Sequence, residues 1–487
     1  MAGSGDNAGN AGNTGDVGGD RAGHTRPWSA LAWGAPLAAL VAVMWTVYIA
    51  PLPHYDVEVF LRAGAAVGHG RNPYPLPGSA EVYSGFAYVY PYLVAFGFVP
   101  LSWLGGFGAT VFIALSVGAL FLGTRLVGTR DRHTYALVMM ASCAITGLQM
   151  GTLNAVLFLG LTALWRYRDH PITAGVLAAG VIYAKLFLAP VWLWLVLTRR
   201  TKASAVAAAG VGLLLAVTEL TSPVDTRTYL GMLTLLAREE APLGLSLTGL
   251  LVNTGLDMGV ATWAARAVAA AVLAGSWLHM RRSGDERVPY AGALAAALVA
   301  SPIVWSHYLL LLLAPILVIA PRSRIPLAVF TAGSWFVVTP HRTSLTGFVA
   351  GGVIIGVLAA PVVGCVVKTL THRGSVGGGP EASRPAPAAM TPVASGVAIV
   401  AVTTTVVGVG FGIELLATTY GNPHRVIGAY CALLGVLAVL GWSLRQQPGH
   451  GWHCGQTATI ASTGRPDDPE SPGRDRGSFD RRRFPSA

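Results

Sequence analysis

The sequence predicts an all-α, polytopic membrane protein with about eleven to thirteen transmembrane or re-entrant helices. Its 487 residues are 53% apolar and only 11% charged, with a mean hydropathy of +0.56; soluble domains carry about 25% charged residues. The basic residues stand in short clusters between apolar runs: Arg125/Arg130/Arg132, Arg166/Arg168, Arg199/Arg200/Lys202, Arg281/Arg282, Arg322/Arg324 and Lys368/Arg373. That is the pattern of cytoplasmic loops under the positive-inside bias. It also argues against a nucleic-acid partner, because the net charge of +11 is not gathered into one stripe.

Along the chain, residues 1–26 are rich in Gly, Asn and Asp and lack the charged-then-apolar order of a signal peptide. They read as a disordered cytoplasmic tail before a retained transmembrane helix that starts at Trp28. A span needs about 20 apolar residues, and 28–50, 107–127, 203–220, 258–280, 343–367, 393–416 and 426–442 qualify. After the first span, residues 57–67 have the apolar spacing of an amphipathic helix lying in the interface, and Asn72-Pro73 starts a turn. Residues 86–104 either cross the membrane or hide a helix break, which Pro91 and Pro100 permit.

Regions 134–166, 172–198 and 288–320 differ from simple spans. Each has basic clusters at both ends and polar residues at its middle: 149–154, Lys185, and 301–307. Basic residues at both ends mean that the chain leaves and returns on the cytoplasmic side. Halves of about 13 residues reach only roughly 20 Å as helix, so some must be re-entrant. Broken backbone at membrane depth survives only where protein or a water-filled cavity satisfies it. The three apices are therefore expected to meet the Asp56 loop in one extracytoplasmic cavity. The domain reading is a tail (1–26), a main transmembrane body (27–370), a flexible cytoplasmic linker (371–392), a final helix pair (393–445) and a second disordered cytoplasmic tail (446–487). Cys143, Cys365, Cys431 and Cys454 lie far apart, offer no metal or disulfide spacing, and read as small core residues.

Only 22 Asp and Glu serve the whole chain, and a carboxylate beside the bilayer is costly unless solvated, paired or used. Asp56 can take a proton from a sugar hydroxyl as a general base; it can equally pair with Arg62 or cap the interfacial helix. Lys185 sits far from either end of its apolar region with no acid near it in sequence, and phosphate is its natural counter-ion. The alternative is a pair with an acid distant in sequence. His307 can hold phosphate, carry a proton or serve as a hydrogen-bonded structural residue. Gln149 and Asn154 can bind sugar hydroxyls or stitch helices together. No metal-ligand spacing and no phosphate-binding glycine loop is visible.

Several motifs then occur in order: Asp56-Val57-Glu58-Val59-Phe60, Gly70-Arg71-Asn72-Pro73-Tyr74, Tyr88-Val89-Tyr90-Pro91, and Gly147-Leu148-Gln149-Met150-Gly151-Thr152-Leu153-Asn154. Ala174-Gly175 through Lys185 and Pro190 follow, then Leu245-Ser246-Leu247-Thr248-Gly249 and Ser301-Pro302-Ile303-Val304-Trp305-Ser306-His307. Over roughly residues 28 to 365 the chain resembles the polytopic glycosyltransferases of the GT-C fold. Within them it resembles glycosyltransferase family 87, the actinobacterial polyprenol-phosphate-mannose-dependent α-mannosyltransferases. The resemblance implies an extracytoplasmic active site, a sugar donor carried on polyprenyl monophosphate, and inversion of the anomeric centre with an Asp base. On that pattern Asp56 is the base, and Lys185, His307 and Arg62 bind the donor phosphate. Glu58, Gln149, Asn154 and Tyr74 contact sugar or acceptor, with the loop near Asp225, Arg227 and Glu239/Glu240 as further candidates. The chain departs from the family at Tyr92 after Tyr90-Pro91, at Tyr308 after His307, and in the four residues separating Gln149 from Asn154; the Asp56 and Lys185 anchors are intact.

The reading is a multi-pass cell-membrane hexosyltransferase that needs no cofactor. It moves mannose from polyprenyl phosphate mannose to an envelope glycolipid, lipoglycan or polysaccharide, with membrane lipid as its other partner. Arabinofuranosyl transfer from decaprenyl phosphate arabinose shares the same anchors. A lipid or solute transporter would use Asp56, Lys185 and His307 as pathway residues, but no internal sequence repeat supports it. A scaffold for envelope assembly has no need of the polar apices.

Overall fold

The computed structural model describes residues 38–338, apart from 44, 77, 85–86, 130 and 322–323, together with 423–445 and scattered positions between 408 and 415. The tails 1–26 and 446–487, the linker 371–392, the span 343–367, most of the spans 28–50 and 393–416, Cys365 and Cys454 lie outside the described residues.

Among the described residues every regular element is a helix, as an all-α membrane protein requires. Tyr55–Gly68 forms α1, and it buries Val57, Val59, Phe60, Ala63, Gly64 and Val67 along one face. The chain then runs through two short helices, α2 (Tyr92–Phe96) and α3 (Val99–Ser102), with Pro91 just before α2 and Pro100 in the first turn of α3. Segments of five and four residues cannot cross a bilayer. Residues 86–104 therefore hide a break.

Among the described residues three helices are long and apolar enough to cross a membrane: the stretch Gly105–Leu126, containing α4 (Gly108–Leu126); α10 (Thr201–Thr221); and α13 (Met258–Ser283). In α10 only Ala203, Ser204 and Ala207 are buried, and in α13 only Ala261, Ala265, Ala269 and Ser276. Small residues at a spacing of three or four let each helix approach one neighbour closely and leave the rest of its apolar surface outward.

The three polar-centred regions are broken where their polar residues stand. The first contains α5 (Arg132–Met140), α6 (Ser142–Met150) and α7 (Asn154–Arg166), with Gly151 left-handed at φ +71° between α6 and α7. The second runs as α8 (Pro171–Ala184), a 3-10 turn Leu186–Leu188 and α9 (Pro190–Leu197), with Lys185 extended at the junction. The third consists of α14 (Arg287–Ala300), an irregular segment to Trp305, a 3-10 helix Ser306–Leu312 and α15 (Leu313–Ile319). Pro302 helps to end α14, because the residue before a proline is pushed out of the helical region; Ser301 is extended.

Contacts at the helix ends show that the second region is a hairpin. Arg200 Nε donates to the Arg168 carbonyl at 3.1 Å, so residues flanking the region on both sides touch. Glu286, at the start of the third region, takes Arg168 at 2.6 Å and Arg200 at 2.7 Å, while Asp169 takes Arg200 at 2.8 Å. Arg324 pairs with Asp131 at 2.7 Å and so joins the end of the third region to the start of the first. Beneath the Arg168–Glu286–Arg200 cluster, Trp165, Trp194 and Tyr290 pack with ring centroids 5.0–5.9 Å apart, and the Tyr290 hydroxyl donates to the Leu161 carbonyl. Helix α16 (Ile325–Val338) is stitched to α6 by two bonds that Ser142 donates to Ser334, from its backbone N–H to the Ser334 hydroxyl and from its own hydroxyl to the Ser334 carbonyl. Helix α17 (Pro423–Arg445), which covers the predicted span 426–442, packs against α16.

Removing Glu286 leaves two partly buried guanidiniums without their shared carboxylate. Glu286→Ala is expected to destabilise the protein by about 1–3 kcal/mol, read as a lower melting temperature in detergent.

Candidate active site

The site begins with the placement of Asp56 in the first turn of α1. Two contacts hold this turn against the α6–α7 break. His54 Nδ1 lies 2.6 Å from the Gln149 carbonyl, and Gly151 packs directly on Val57, where an added Cβ would meet the Val57 side chain at 2.6 Å. Gly151 thus meets two demands at once, a positive φ and a close approach. Further along α1, Phe60 stacks on Phe98 at 4.6 Å and meets Tyr90 edge-on at 4.7 Å.

Lys185 leaves the end of α8 in an extended conformation, and its Nζ is buried with no hydrogen-bond partner among the described residues. An ammonium without acceptors loses its hydration at considerable cost. Part of that cost is offset by three aromatic faces: Tyr308 at 3.5 Å, Tyr90 at 5.5 Å and Phe187 at 5.8 Å from Nζ to ring centroid. Such contacts contribute about 2 kcal/mol when desolvated.

His307 belongs to the 3-10 helix after the third break and is also buried. Its carbonyl accepts from Asn154 Nδ2 at 3.1 Å, which joins the first break to the third. The irregular segment ahead of it is strapped to the chain leading into α12 (Leu247–Asn253): Leu245 N donates to the Val304 carbonyl and Ser246 Oγ to the Pro302 carbonyl, each at 2.6 Å. The same straps bring in the end of α11 (Thr226–Glu240) and with it Glu240.

These pieces enclose a cavity of about 570 Å³. Asp56, Glu240, Lys185, His307, Gln149, Tyr90, Tyr229, Trp305 and Tyr308 are on its wall. Burial raises the Asp56 carboxyl to about 6, with the nearby Lys185 charge pulling the other way. Glu240 is also raised, by burial first and then by the charge of Asp56. Asp56 and Lys185 sense each other across the cavity and yet form no ion pair; neither belongs to any ion pair among the described residues. The arrangement can accept a proton at Asp56 and hold an anion at Lys185. Among the described residues no three acids, histidines or cysteines gather as metal ligands.

Of the residues singled out in the sequence, Asp56, Lys185, His307 and Gln149 are brought together on this wall. Arg62 and Glu58 are exposed on α1 and off the wall, with Arg62 Nε donating to the Glu58 carbonyl at 3.4 Å. Asn154 and Tyr74 are buried behind the wall. Asn154 supports the His307 carbonyl, and the Tyr74 hydroxyl supports the Tyr90 carbonyl at 3.0 Å. Asp225 caps α11 through Thr228, Arg227 and Glu239 are exposed, and Glu240 alone of that group faces the cavity. Sequence reasoning did not single out Tyr90, Phe187 or Tyr308 as surroundings of Lys185. The sole local signal was adjacency, since Phe187 lies two residues after Lys185 and Tyr308 follows His307.

Fold and cavity together define a helical membrane protein in which chain breaks deliver an acid, a lysine and a histidine to one pocket. Residues 88–306 match the family model of glycosyltransferase family 87, a match that supports this family for the chain. The match indicates a glycosyltransferase and implies a sugar donor and an acceptor as its substrates. Asp56 lies before the matched stretch and His307 one residue beyond it. No curated protein and no solved structure matches the chain.

Because Gly151 sets the first turn of α1, Gly151→Ala is expected to lower the rate of sugar transfer about 10- to 100-fold. Gly105→Ala is the control: Gly105 also has a positive φ, 54°, but open space around it, so it carries the strain without displacing Asp56. A transfer assay on both variants checks the difference.

Proposed function

We propose that the protein transfers a mannosyl residue from polyprenyl phosphate mannose to a glycolipid or lipoglycan of the cell envelope. It does so as a GT-C enzyme on the extracytoplasmic side, with inversion of the anomeric centre. The observation that carries this reading is the convergence of Asp56, Lys185 and His307, from three distant chain segments, on one cavity.

The acceptor hydroxyl gives its proton to an Asp56 carboxylate oxygen as its own oxygen attacks the anomeric carbon. The bond from that carbon to the phosphate oxygen breaks, and polyprenyl phosphate departs with the electron pair. The negative charge that develops on the leaving phosphate is stabilised by the Lys185 ammonium, with His307 beside it. Fixed charges in a water-poor cavity stabilise it better than bulk water does. The lipid tail supplies binding energy away from the reacting carbon and keeps that carbon near the base. Substitution from the face opposite the phosphate turns a β-linked donor into an α-glycoside.

Sidedness is supported by the arginines. Arg168, Arg200 and Arg324 gather at the region ends, and Lys185 stands at the far end of the 14-residue α8. A helix of that length is about 20 Å long, and the positive-inside bias assigns the arginine end to the cytoplasm.

Membranes carrying Asp56→Asn, supplied with radiolabelled polyprenyl phosphate mannose and an envelope lipid extract, are expected to form product about 10²- to 10⁴-fold more slowly than wild type. Equal product from the two would remove Asp56 as the base. Absence of product with wild type, and product with decaprenyl phosphate arabinose instead, would reassign the donor sugar.

The acid must be ionised to accept the proton, and burial holds it near 6. Transfer efficiency (kcat/KM) is therefore expected to be level at neutral pH and to fall about tenfold per unit below pH about 6. The residual activity of Asp56→Asn should lack this limb.

A further inference from the structure

The ring environment of Lys185 has its own chemical consequence. A lysine on a flexible stem and a carboxylate that share a cavity attract each other strongly, because low dielectric magnifies their charges. Closing into a direct pair would neutralise both. Asp56 and Lys185 line one cavity and do not close.

Tyr308 stands against the ammonium, 3.5 Å from Nζ to ring centroid. The ring is fixed from two sides: it stacks on Phe187 at 5.4 Å with planes 8° apart, and meets the His307 ring at 5.0 Å. Phe187 belongs to the turn immediately after Lys185, so the lysine and one wall of its box share a chain segment, while Tyr308 arrives from the third break. A ring face stabilises a cation without accepting conventional hydrogen bonds from it, so the N–H donors remain available to an incoming anion.

We propose that Tyr308 is a positioning residue, whose ring holds the Lys185 ammonium charged and apart from Asp56. The acid then stays free to accept a proton and the ammonium free to take the donor phosphate. The proposal rests on the reading of Lys185 as the phosphate ligand given above.

The test uses the full-length protein in detergent, titrated with polyprenyl monophosphate, together with the pH profile of mannosyl transfer. Lys185 and Glu240 are the charged groups facing Asp56, with His307, Tyr90 and Tyr229 on the same wall. Tyr308→Leu removes the ring. It is expected to weaken polyprenyl phosphate binding about 10- to 30-fold. Lys185 then pairs with Asp56 and stabilises its ionised form, so the acid limb of the profile moves to lower pH by about one unit. A purely structural lesion would not move that limb. Tyr308→Phe keeps the ring and is expected to restore both properties to within about threefold of wild type.

Unchanged binding and an unchanged limb in Tyr308→Leu would overturn the proposal. So would Tyr308→Phe as damaged as Tyr308→Leu, which would assign the effect to the hydroxyl. Lys185→Gln, measured alongside, separates the two levels. If it binds polyprenyl phosphate like wild type, the phosphate reading itself falls and the proposal falls with it. If it binds weakly while Tyr308→Leu binds normally, only the role of the ring is lost.

Discussion

A helix that stops inside a membrane protein leaves backbone donors and acceptors that water cannot reach, and each must find a partner nearby. Here those partners build the site. The carbonyl of Gln149, at the end of α6, is met by His54. The His307 carbonyl is met by Asn154, and those of Val304 and Pro302 by Leu245 and Ser246. In the irregular segment before α2, the Tyr90 and Val89 carbonyls are met by the Tyr74 and Tyr229 hydroxyls. Every one of these bonds joins residues distant in sequence, and every one fixes a piece of the cavity wall. Satisfying the broken backbone and assembling the cavity are one physical event.

Charge is distributed under the same constraint. Asp131, Asp225 and Asp257 cap helices, while Asp169, Asp285 and Glu286 hold arginines at helix ends. Asp56 and Glu240 do neither and line the cavity instead. In an acid-poor chain, carboxylates that neither cap nor pair stand out chemically, because burial without a partner raises the cost of ionisation and makes them ready proton acceptors. The lysine opposite follows the same logic, with aromatic faces where a carboxylate would otherwise sit.

The glycosyltransferase assignment therefore has two independent supports. One is the family match over residues 88–306. The other is a cavity whose acid and lysine suit the proposed displacement of a phosphate by a hydroxyl, and whose acid at position 56 lies outside the matched stretch. The aromatic wall adds a further layer, because it controls whether those charges meet each other or meet a substrate.

Much of this was legible in the sequence. Hydropathy and basic clustering are local properties, so the long helices α4, α10 and α13 and the three interrupted regions could be read directly from composition. The polar residues at 149–154, 185 and 301–307 marked the breaks because polar groups within apolar runs are tolerated only where the backbone opens to a cavity. Membership of the wall was a different matter. Arg62 and Glu58 share a helix with Asp56 but face outward, Asn154 and Tyr74 support the wall from behind, and Glu240 turns inward at the end of a helix whose other acids and bases are exposed. Sequence by itself determined that the chain breaks within its apolar regions and which ionisable residues stand at the breaks. Only tertiary structure decided which side chains turn into the shared cavity, and that Tyr308 rather than an acid covers Lys185, because a side chain's direction is set by packing between segments that are separate in sequence.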